Sequence, residues 1–413
     1  MRILYVHQYF TTLEGATGTR SYEFARRLLA RGHQVTMLCA SYKVSKTGLS
    51  GPFVKGRREG KVDGIDVVEF QLEFSNRSSL PQRALVFLRF AWRSIKMALR
   101  ADYDLIFATS TPLTAAIPGI AQKWFRRRKR PFVFEIRDPW PEAPRDMGLI
   151  KNPAVLKALD WLETWAYRAA DRYIALSPGM IEAFNKKGVE EDRIALIPNG
   201  SDLELFRPDR AQSETSDWPS NGCTALFCGA HGVANGLHTL VDAAAALDKA
   251  ENHEANILLV GDGKQKSALV ERAEEENLCS IHFHDPIPKI KLAEWMARAG
   301  VGLMILDNVE TFRYSSSPNK FFDYISAGLP VIVNHPGWVA DMLAEHDCGI
   351  YVEPGDSKGL AEAIIWMSKN EKRRKTMGAN ARKLAEARFD RDKLGERFVE
   401  VLELAANEFP YER

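Results

Sequence analysis

Cysteine is scarce and scattered in this chain: Cys39, Cys223, Cys228, Cys279 and Cys348 are the five in 413 residues. The number is odd and the spacing fits no metal site, so neither a disulfide framework nor a zinc site is expected, and buried thiols in a reducing compartment are. Long hydrophobic runs are missing too. The opening Met1-Arg2-Ile3-Leu4-Tyr5-Val6-His7 is apolar too briefly for a signal peptide or a membrane span, which predicts a cytoplasmic location. Solenoid repeats and low-complexity stretches are absent. With 45% hydrophobic and 27% charged residues, the composition excludes disorder over any large part of the chain.

What is present is enough chain for two cores, at roughly 150 residues per domain. The net charge of +2 conceals an imbalance. Residues 1–205 carry 32 Lys/Arg against 22 Asp/Glu, whereas the remainder carries 24 against 32. A basic half joined to an acidic half suggests that one domain meets an anionic surface or substrate, for which a membrane or a nucleic acid are both candidates.

Short apolar runs alternate with longer helical patterns from the first residue, the signature of βαβ units and a mainly parallel sheet. In the first half, strands are expected at Arg2–Val6, Gln34–Leu38, Ile65–Phe70, Leu105–Ala108, Phe132–Glu135, Arg172–Ala175 and Ile194–Ile197, with a helix from Arg20 to Arg31. A second set is expected at Ala225–Cys228, Asn256–Val260, Ser280–Phe283, Val301–Ile305 and Val331–Val333. The polar, turn-rich stretch before Cys223 suits a linker. The division expected is an N-terminal domain over 1–205, a linker over 206–222, a C-terminal domain over 223–390, and a final helical segment over 391–413 packing back across the domains. The whole stretch from Lys372 to Glu412 reads as charged amphipathic helix.

Five segments have the residue types of a site. Ser317-Pro318-Asn319-Lys320-Phe321-Phe322-Asp323 begins a helix, with Ser as cap and Pro in the first turn. Its unpaired backbone N–H groups and Lys320 suit a diphosphate, and Asp323 suits ribose hydroxyls. A plain capped surface helix accounts for the same residues. Gly229-Ala230-His231-Gly232 and Gly261-Asp262-Gly263-Lys264 each follow a strand, where glycine lets the backbone approach a bulky ligand; tight strand-to-helix turns are the alternative. Gly15-Ala16-Thr17-Gly18-Thr19-Arg20 places backbone amides and Arg20 where an anion could sit. Glu135-Ile136-Arg137-Asp138-Pro139-Trp140-Pro141 brings three charges to the end of an apolar strand beside proline-fixed backbone, as either a site or a structural ion pair of Arg137.

With these motifs in order, the chain resembles the retaining glycosyltransferases of family 4 with the GT-B fold, especially the bacterial branch that extends lipid-linked O-antigen and capsule precursors. The likeness runs from the Gly15–Arg20 loop through Arg31-Gly32-His33, Asp138-Pro139-Trp140-Pro141, Ser177-Pro178-Gly179 and Pro198-Asn199-Gly200, and on through Gly229–Gly236 and Gly261–Gly263 to Lys320–Pro330. It implies an α/β protein of two Rossmann-like, doubly wound domains facing a central cleft, with the acceptor in the first and a nucleotide sugar, UDP-linked by family habit, in the second.

Transferred residue by residue, the resemblance gives Lys320 and the segment Ser317, Pro318, Asn319 to the diphosphate and Asp323 to the ribose. Gly229, His231, Gly232, Gly261, Gly263 and Lys266 complete the donor side. Gly15, Gly18, Arg20 and Asn199 form the acceptor or phosphate loop, and Asp138, Glu135 and Arg137 lie near the sugar or acceptor hydroxyl. Two departures stand out. The Glu pair of many relatives is replaced by Ser315 and Asp323, and the Arg and Lys of the donor loop by Ala230, His231 and Asn235. The family's front-face mechanism uses the leaving diphosphate as proton acceptor, so no cofactor and no metal are expected.

The partners expected are the nucleotide sugar, a polyprenyl-diphosphate-linked acceptor and an anionic membrane surface, with no nucleic acid. Arg89, Arg93, Lys96 and Arg100 recur on one side of a helical pattern whose other side is Leu85, Leu88, Trp92, Ile95 and Leu99, and Arg127 lies in a second basic, aromatic segment. This predicts attachment to the inner face of the plasma membrane. Epimerisation of a UDP-sugar without an acceptor, or nucleic-acid binding by the basic half, are the rival readings.

Overall fold

The computed structural model describes residues 1–15, 18–42, 45–73, 79–210, 218–219, 222–250 and 254–409. Contacts divide them into two compact units. The first comprises Met1–Pro198, Ser315–Ser317 and the described part of Lys393–Arg413; the second comprises Asn199–Tyr314 and Pro318–Asp392.

The first unit runs β1 (Arg2–Val6), α1 (Arg20–Ala30), β2 (Gln34–Ala40), β3 (Arg57–Val62), β4 (Ile65–Phe70), α2 (Leu80–Arg100), β5 (Leu105–Thr109), α3 (Ile117–Phe125), β6 (Phe132–Ile136), α4 (Glu142–Asp146), α5 (Pro153–Ala169), β7 (Arg172–Ala175), α6 (Pro178–Lys186) and β8 (Ile194–Leu196). Its eight strands lie in the order β3-β4-β2-β1-β5-β6-β7-β8, and every pairing is parallel except β3–β4. β1 and β5 are buried throughout or nearly so, as strands covered on both faces must be. Strand order reverses between β1 and β5, so the crevice that such a sheet opens to ligands lies at the carboxyl ends of those two strands.

β3 is absent from the sequence reading. Its residues, Arg-Arg-Glu-Gly-Lys-Val, carry no apolar alternation because the strand is an exposed sheet edge. It is held by a hairpin whose two turn residues, Asp63 and Gly64, both have positive φ, as an Asp-Gly turn of this kind requires.

The second unit contains β9 (Cys223–Cys228), α7 (His238–Lys249), β10 (Ala255–Val260), α8 (Lys266–Glu275), β11 (Ile281–His284), α9 (Lys289–Arg298), β12 (Val301–Met304), α10 (Glu310–Ser315), α11 (Asn319–Ser326), β13 (Val331–Val333), α12 (Trp338–Glu345), β14 (Gly349–Tyr351), α13 (Ser357–Lys369) and α14 (Glu371–Arg388). The sheet order is β11-β10-β9-β12-β13-β14, all parallel, with the reversal between β9 and β12. Both units are thus α/β and doubly wound.

The chain passes between units at Pro198–Asn199, ahead of the polar stretch read as a linker. Phe206 and Trp218, from that stretch, are buried in the second unit's core, where Trp218 meets Trp295 edge-on. The single helix expected from Lys372 onward is two. It breaks at Phe389-Asp390, where Phe389 turns into the second core and the backbone pairs with Ser201. The last helix, α15 (Arg391–Glu408), packs Phe398 against Tyr5, Phe24 and Phe107 in the first unit. Four cysteines are buried, as expected of inert thiols, but Cys279 is exposed.

Candidate functional site

In the second unit the site grows from the β9/β12 reversal. The Gly229–Gly236 loop leaves β9 there, the Gly261–Gly263 loop leaves β10 beside it, and Asn334-His335 follows β13. The two glycine loops touch: a Cβ at Gly261 would stand 1.9 Å from Gly229 O, and one at Gly263 would stand 2.4 Å from His231 O. Backbone hydrogen bonds fasten the pair, with His231 N donating to Asp262 O and Gln265 N to His231 O.

Lys320 reaches this loop from α11. Its ammonium lies 3.9 Å from the centre of the Phe227 ring and donates to Asn235 Oδ1 at 3.0 Å. A Cβ at Gly229, whose φ is +142°, would come within 3.4 Å of the Lys320 side chain. Loss of water pushes the ammonium down to about 8, with only Cys228 opposing. His231 is fully buried, and neither ring nitrogen has a hydrogen-bond partner among the described residues. Burial, then the Lys266 charge, pushes it down to about 4, so the imidazole is neutral at pH 7.

Other residues expected on the donor side are otherwise engaged. α11 starts at Asn319 with Pro318 as its cap, one residue later than the Ser-capped helix expected, and it has no side-chain cap. Lys266 Nζ donates to Gly261 O, His284 O and Asp285, so it buttresses the second glycine loop instead of facing a ligand. Asp323 is buried and accepts a 2.7 Å hydrogen bond from Ser201 Oγ, which ties α11 to the segment entering the unit. Gly232 sits in the loop with no atom within 4 Å of its missing side chain. Asn199 is buried where the second unit begins.

In the first unit, the β1/β5 reversal gathers His7, Thr109, Ser110 and the Arg137-Asp138 loop. Two expectations are corrected here. Arg20 does not offer its charge to an anion and Glu135 does not face a substrate, because they bind each other in the interior. Arg20 is 6% and Glu135 0% exposed. Both Nε and Nη2 of Arg20 donate to Glu135 Oε2, at 3.0 and 2.7 Å, while Nη2 also donates to Ile197 O, Nη1 donates to Pro198 O, and Thr109 Oγ1 donates to Oε1. A charge so fully paired and dehydrated is structural.

Asp138, by contrast, is exposed, and its carboxylate accepts from Thr111 Oγ1 at 2.5 Å. Arg137 is half-buried; its backbone N donates to Ser110 Oγ, and its guanidinium meets His7 Nε2 at 3.3 Å. His7 is held neutral, first by burial and then by the Arg137 charge. Sequence reasoning missed this histidine, although its place just past β1 at the sheet's reversal marks it. Gly15 closes a turn onto Thr12 and leaves no room beside Thr11, and Gly18 precedes α1; Ala16 and Thr17 between them lie outside the described residues.

The helix α2 buries a face that the sequence reading did not name. Phe87, Phe90, Ala91, Ser94 and Ala98 form the buried face, while Leu85, Leu88 and Trp92, from the stripe read as membrane-facing, are 48%, 56% and 66% exposed. Arg93 turns inward to Gly56 O and the Phe70 ring and leaves the exposed basic set, whereas Arg89, Lys96 and Arg127 stay exposed.

The molecule thus consists of two doubly wound α/β units, the second with paired glycine loops and a lysine brought to them by a helix start. Residues 15–200 match the glycosyl transferase 4-like domain, and residues 209–384 match glycosyl transferases group 1. The chain belongs to this glycosyltransferase family, of GT-B fold and family 4 type.

Among curated relatives, it is 23% identical over 291 residues to the lipopolysaccharide core biosynthesis glycosyltransferase LpsE of Rhizobium meliloti, covering 68% of this chain and 78% of that protein. It is 22% identical to the O-antigen chain mannosyltransferase C of Escherichia coli, covering 61% and 66%. It is 26% identical to D-inositol 3-phosphate glycosyltransferase 1 of Catenulispora acidiphila, covering 64% and 63%. The chain spans about half the length of several curated relatives it matches. Among solved structures, sucrose-phosphate synthase from Thermosynechococcus elongatus superposes with a TM-score of 0.73 at 20% identity, covering 99% of this chain and 100% of that one. Anabaena HepE in complex with UDP and glucose superposes with a TM-score of 0.67 at 21% identity, covering 98% and 100%. At these identities the likeness is one of fold.

Proposed function

We propose that this protein transfers a sugar, with retention of configuration, from a UDP-linked donor to a lipid-linked or glycan acceptor in surface polysaccharide synthesis. The observation that carries this reading is the Lys320 ammonium over the backbone of Gly229, at the reversal point of the second sheet and with a neutral side chain as its acceptor. A cation so placed suits a diphosphate, whose growing charge it stabilises as the bond from sugar to phosphate breaks. The acceptor oxygen forms the new bond to the anomeric carbon, and its proton passes to the departing phosphate oxygen. The protein's part is to orient the hydroxyl and hold the diphosphate. Asp138 is the carboxylate we assign to the acceptor side, since it is exposed and aligned by Thr111. Relatives named for lipopolysaccharide core and O-antigen synthesis support the acceptor class, and HepE's complex with UDP supports the base.

The membrane belongs to the same proposal. No helix among the described residues is long and apolar enough to cross a bilayer. The first unit instead exposes Leu85, Leu88 and Trp92 on α2, Trp124 and Phe125 at the end of α3, and Trp161 and Trp165 on α5, with Trp124 and Trp165 5.3 Å apart. A recess edged by Arg126, Arg127, Arg128 and Arg130 adjoins Phe125. Exposed aromatics beside arginines suit the anionic interface of a bilayer.

Thermal unfolding with a panel of UDP- and GDP-sugars tests the donor. A UDP-sugar is expected to raise the midpoint, and Lys320→Ala to abolish the rise. A rise of equal size in the variant would remove Lys320 from the site. The anomeric configuration of the product, read by NMR, tests retention.

A further inference from the structure

Asn235 makes two contacts that nothing in its sequence position announces. It ends the short helical turn Val233–Asn235, where its Nδ2 donates to Ala230 O at 2.8 Å and closes its own loop, while its Oδ1 accepts from Lys320 Nζ at 3.0 Å. One carboxamide therefore joins the donor loop to the cation of α11. On its other side the ammonium rests on the Phe227 ring, and the missing side chain of Gly229 leaves it room.

The titratable groups around Lys320 do little to hold its proton. Cys228, on β9, favours the charge, but burial pushes that thiol up to about 11, so it stays neutral. His231, after β9, and His335, after β13, are both pushed by burial down to about 4 and are neutral as well. Asp323, one turn along α11, accepts from Ser201. Loss of water thus weakens the amine's hold on its proton, opposed by a neutral carboxamide and a π face, and leaves it an ammonium at pH 7.

We propose that Asn235 is the positioning residue of Lys320, and that binding of an anionic diphosphate at this loop is coupled to protonation of the Lys320 amine. The inference rests on the reading of Lys320 as the diphosphate ligand. Two phosphate charges favour the ammonium, so above the amine's own midpoint near pH 8 the complex takes a proton from solvent. Affinity is level below that midpoint and falls about tenfold per pH unit above it. An acidic residue at 235 would keep the amine charged but repel the diphosphate; a basic one would repel the amine.

The test is calorimetric titration of the full chain with UDP, and in parallel with GDP, at pH 7.0 and 8.7 in buffers of contrasting ionisation enthalpy. Wild-type protein is expected to take up almost no proton at the lower pH and more than about half a proton at the higher. Lys320→Arg, charged throughout, is expected to bind with neither the excess uptake nor the fall in affinity. Asn235→Ala is expected to move the fall to lower pH, an effect that a purely structural loop residue has no means to produce. Binding at both pH values with equal proton uptake in wild type and Lys320→Arg, or a fall left in place by Asn235→Ala, overturns the proposal. Absence of any UDP or GDP binding by wild type at pH 7.0 overturns instead the diphosphate reading beneath it.

Discussion

Arg20 and Glu135 hold each other inside the first unit, with Nη2 of the arginine 2.7 Å from Oε2 of the glutamate and both side chains buried. They lie 115 residues apart in sequence and meet because α1 follows β1, while β1, β5 and β6 are adjacent strands. Removing either partner leaves a dehydrated charge, which costs on the order of 3–5 kcal/mol. Glu135→Gln is therefore expected to lower stability towards urea by about that amount. A variant of unchanged stability but greatly reduced turnover would return Glu135 to the catalytic set.

Asp138 carries the opposite expectation. It is exposed and bonded only to Thr111 among the hydrogen bonds described, so Asp138→Asn is expected to leave the melting temperature in place. If the carboxylate orients the acceptor hydroxyl, transfer slows on the order of 10²-fold. Assay of both quantities on one preparation decides it, and unchanged transfer removes Asp138 from the acceptor side.

A second carboxylate gives a pH-dependent stability. Glu163 is buried, and burial first, then neighbouring Glu142, pushes it up to about 7, while its bonds to Tyr167 and Lys187 act the other way. The folded value lies above that of an exposed Glu, near 4.3. Between the two, the folded chain binds more protons than the unfolded one, so stability is lost as pH rises through roughly 4.5 to 7. Glu163→Gln abolishes this titration. Its melting temperature is expected to fall less than that of wild type between pH 5 and pH 8, and parallel curves would count against the raised value.

The contact between the glycine loops is expected to be intolerant. Gly261→Ala places a Cβ 1.9 Å from Gly229 O, and the forced shift costs about 1–3 kcal/mol. The midpoint of the second unit drops, and the thermal shift with UDP shrinks with it. Full retention of both would show that the loops can part.

For the membrane face, Arg89→Glu, Lys96→Glu and Arg127→Glu together are expected to weaken binding to phosphatidylglycerol vesicles by at least two orders of magnitude, at about 1 kcal/mol per basic residue. Trp92→Ser with Trp124→Ser tests the apolar part separately. Sedimentation unchanged in both variants would dismiss the surface.

By itself the sequence determined the alternation of strands and helices, because strands covered on both faces must be nearly continuous apolar runs, as Leu105–Thr109 and Val331–Val333 are. It also determined the glycine loops, since Gly229 holds a φ of +142° that residues with side chains rarely adopt and a Cβ at Gly261 would strike Gly229 O. β3 stayed hidden because an exposed edge strand has no core to pattern it. The packing face of α2 stayed hidden because Ala91, Ser94 and Ala98 are small and carry little apolar signal, whereas the apolar stripe of Leu85, Leu88 and Trp92 is left exposed. Only the tertiary structure decided which charges are spent on the fold. Arg20, Lys266, Arg93 and Asp323 have the composition of ligands, but each finds its partner at long range within its own unit. Lys320 keeps a charge-neutral neighbour, Asn235, and that difference in partner, invisible in local spacing, separates the candidate ligand from the structural cations.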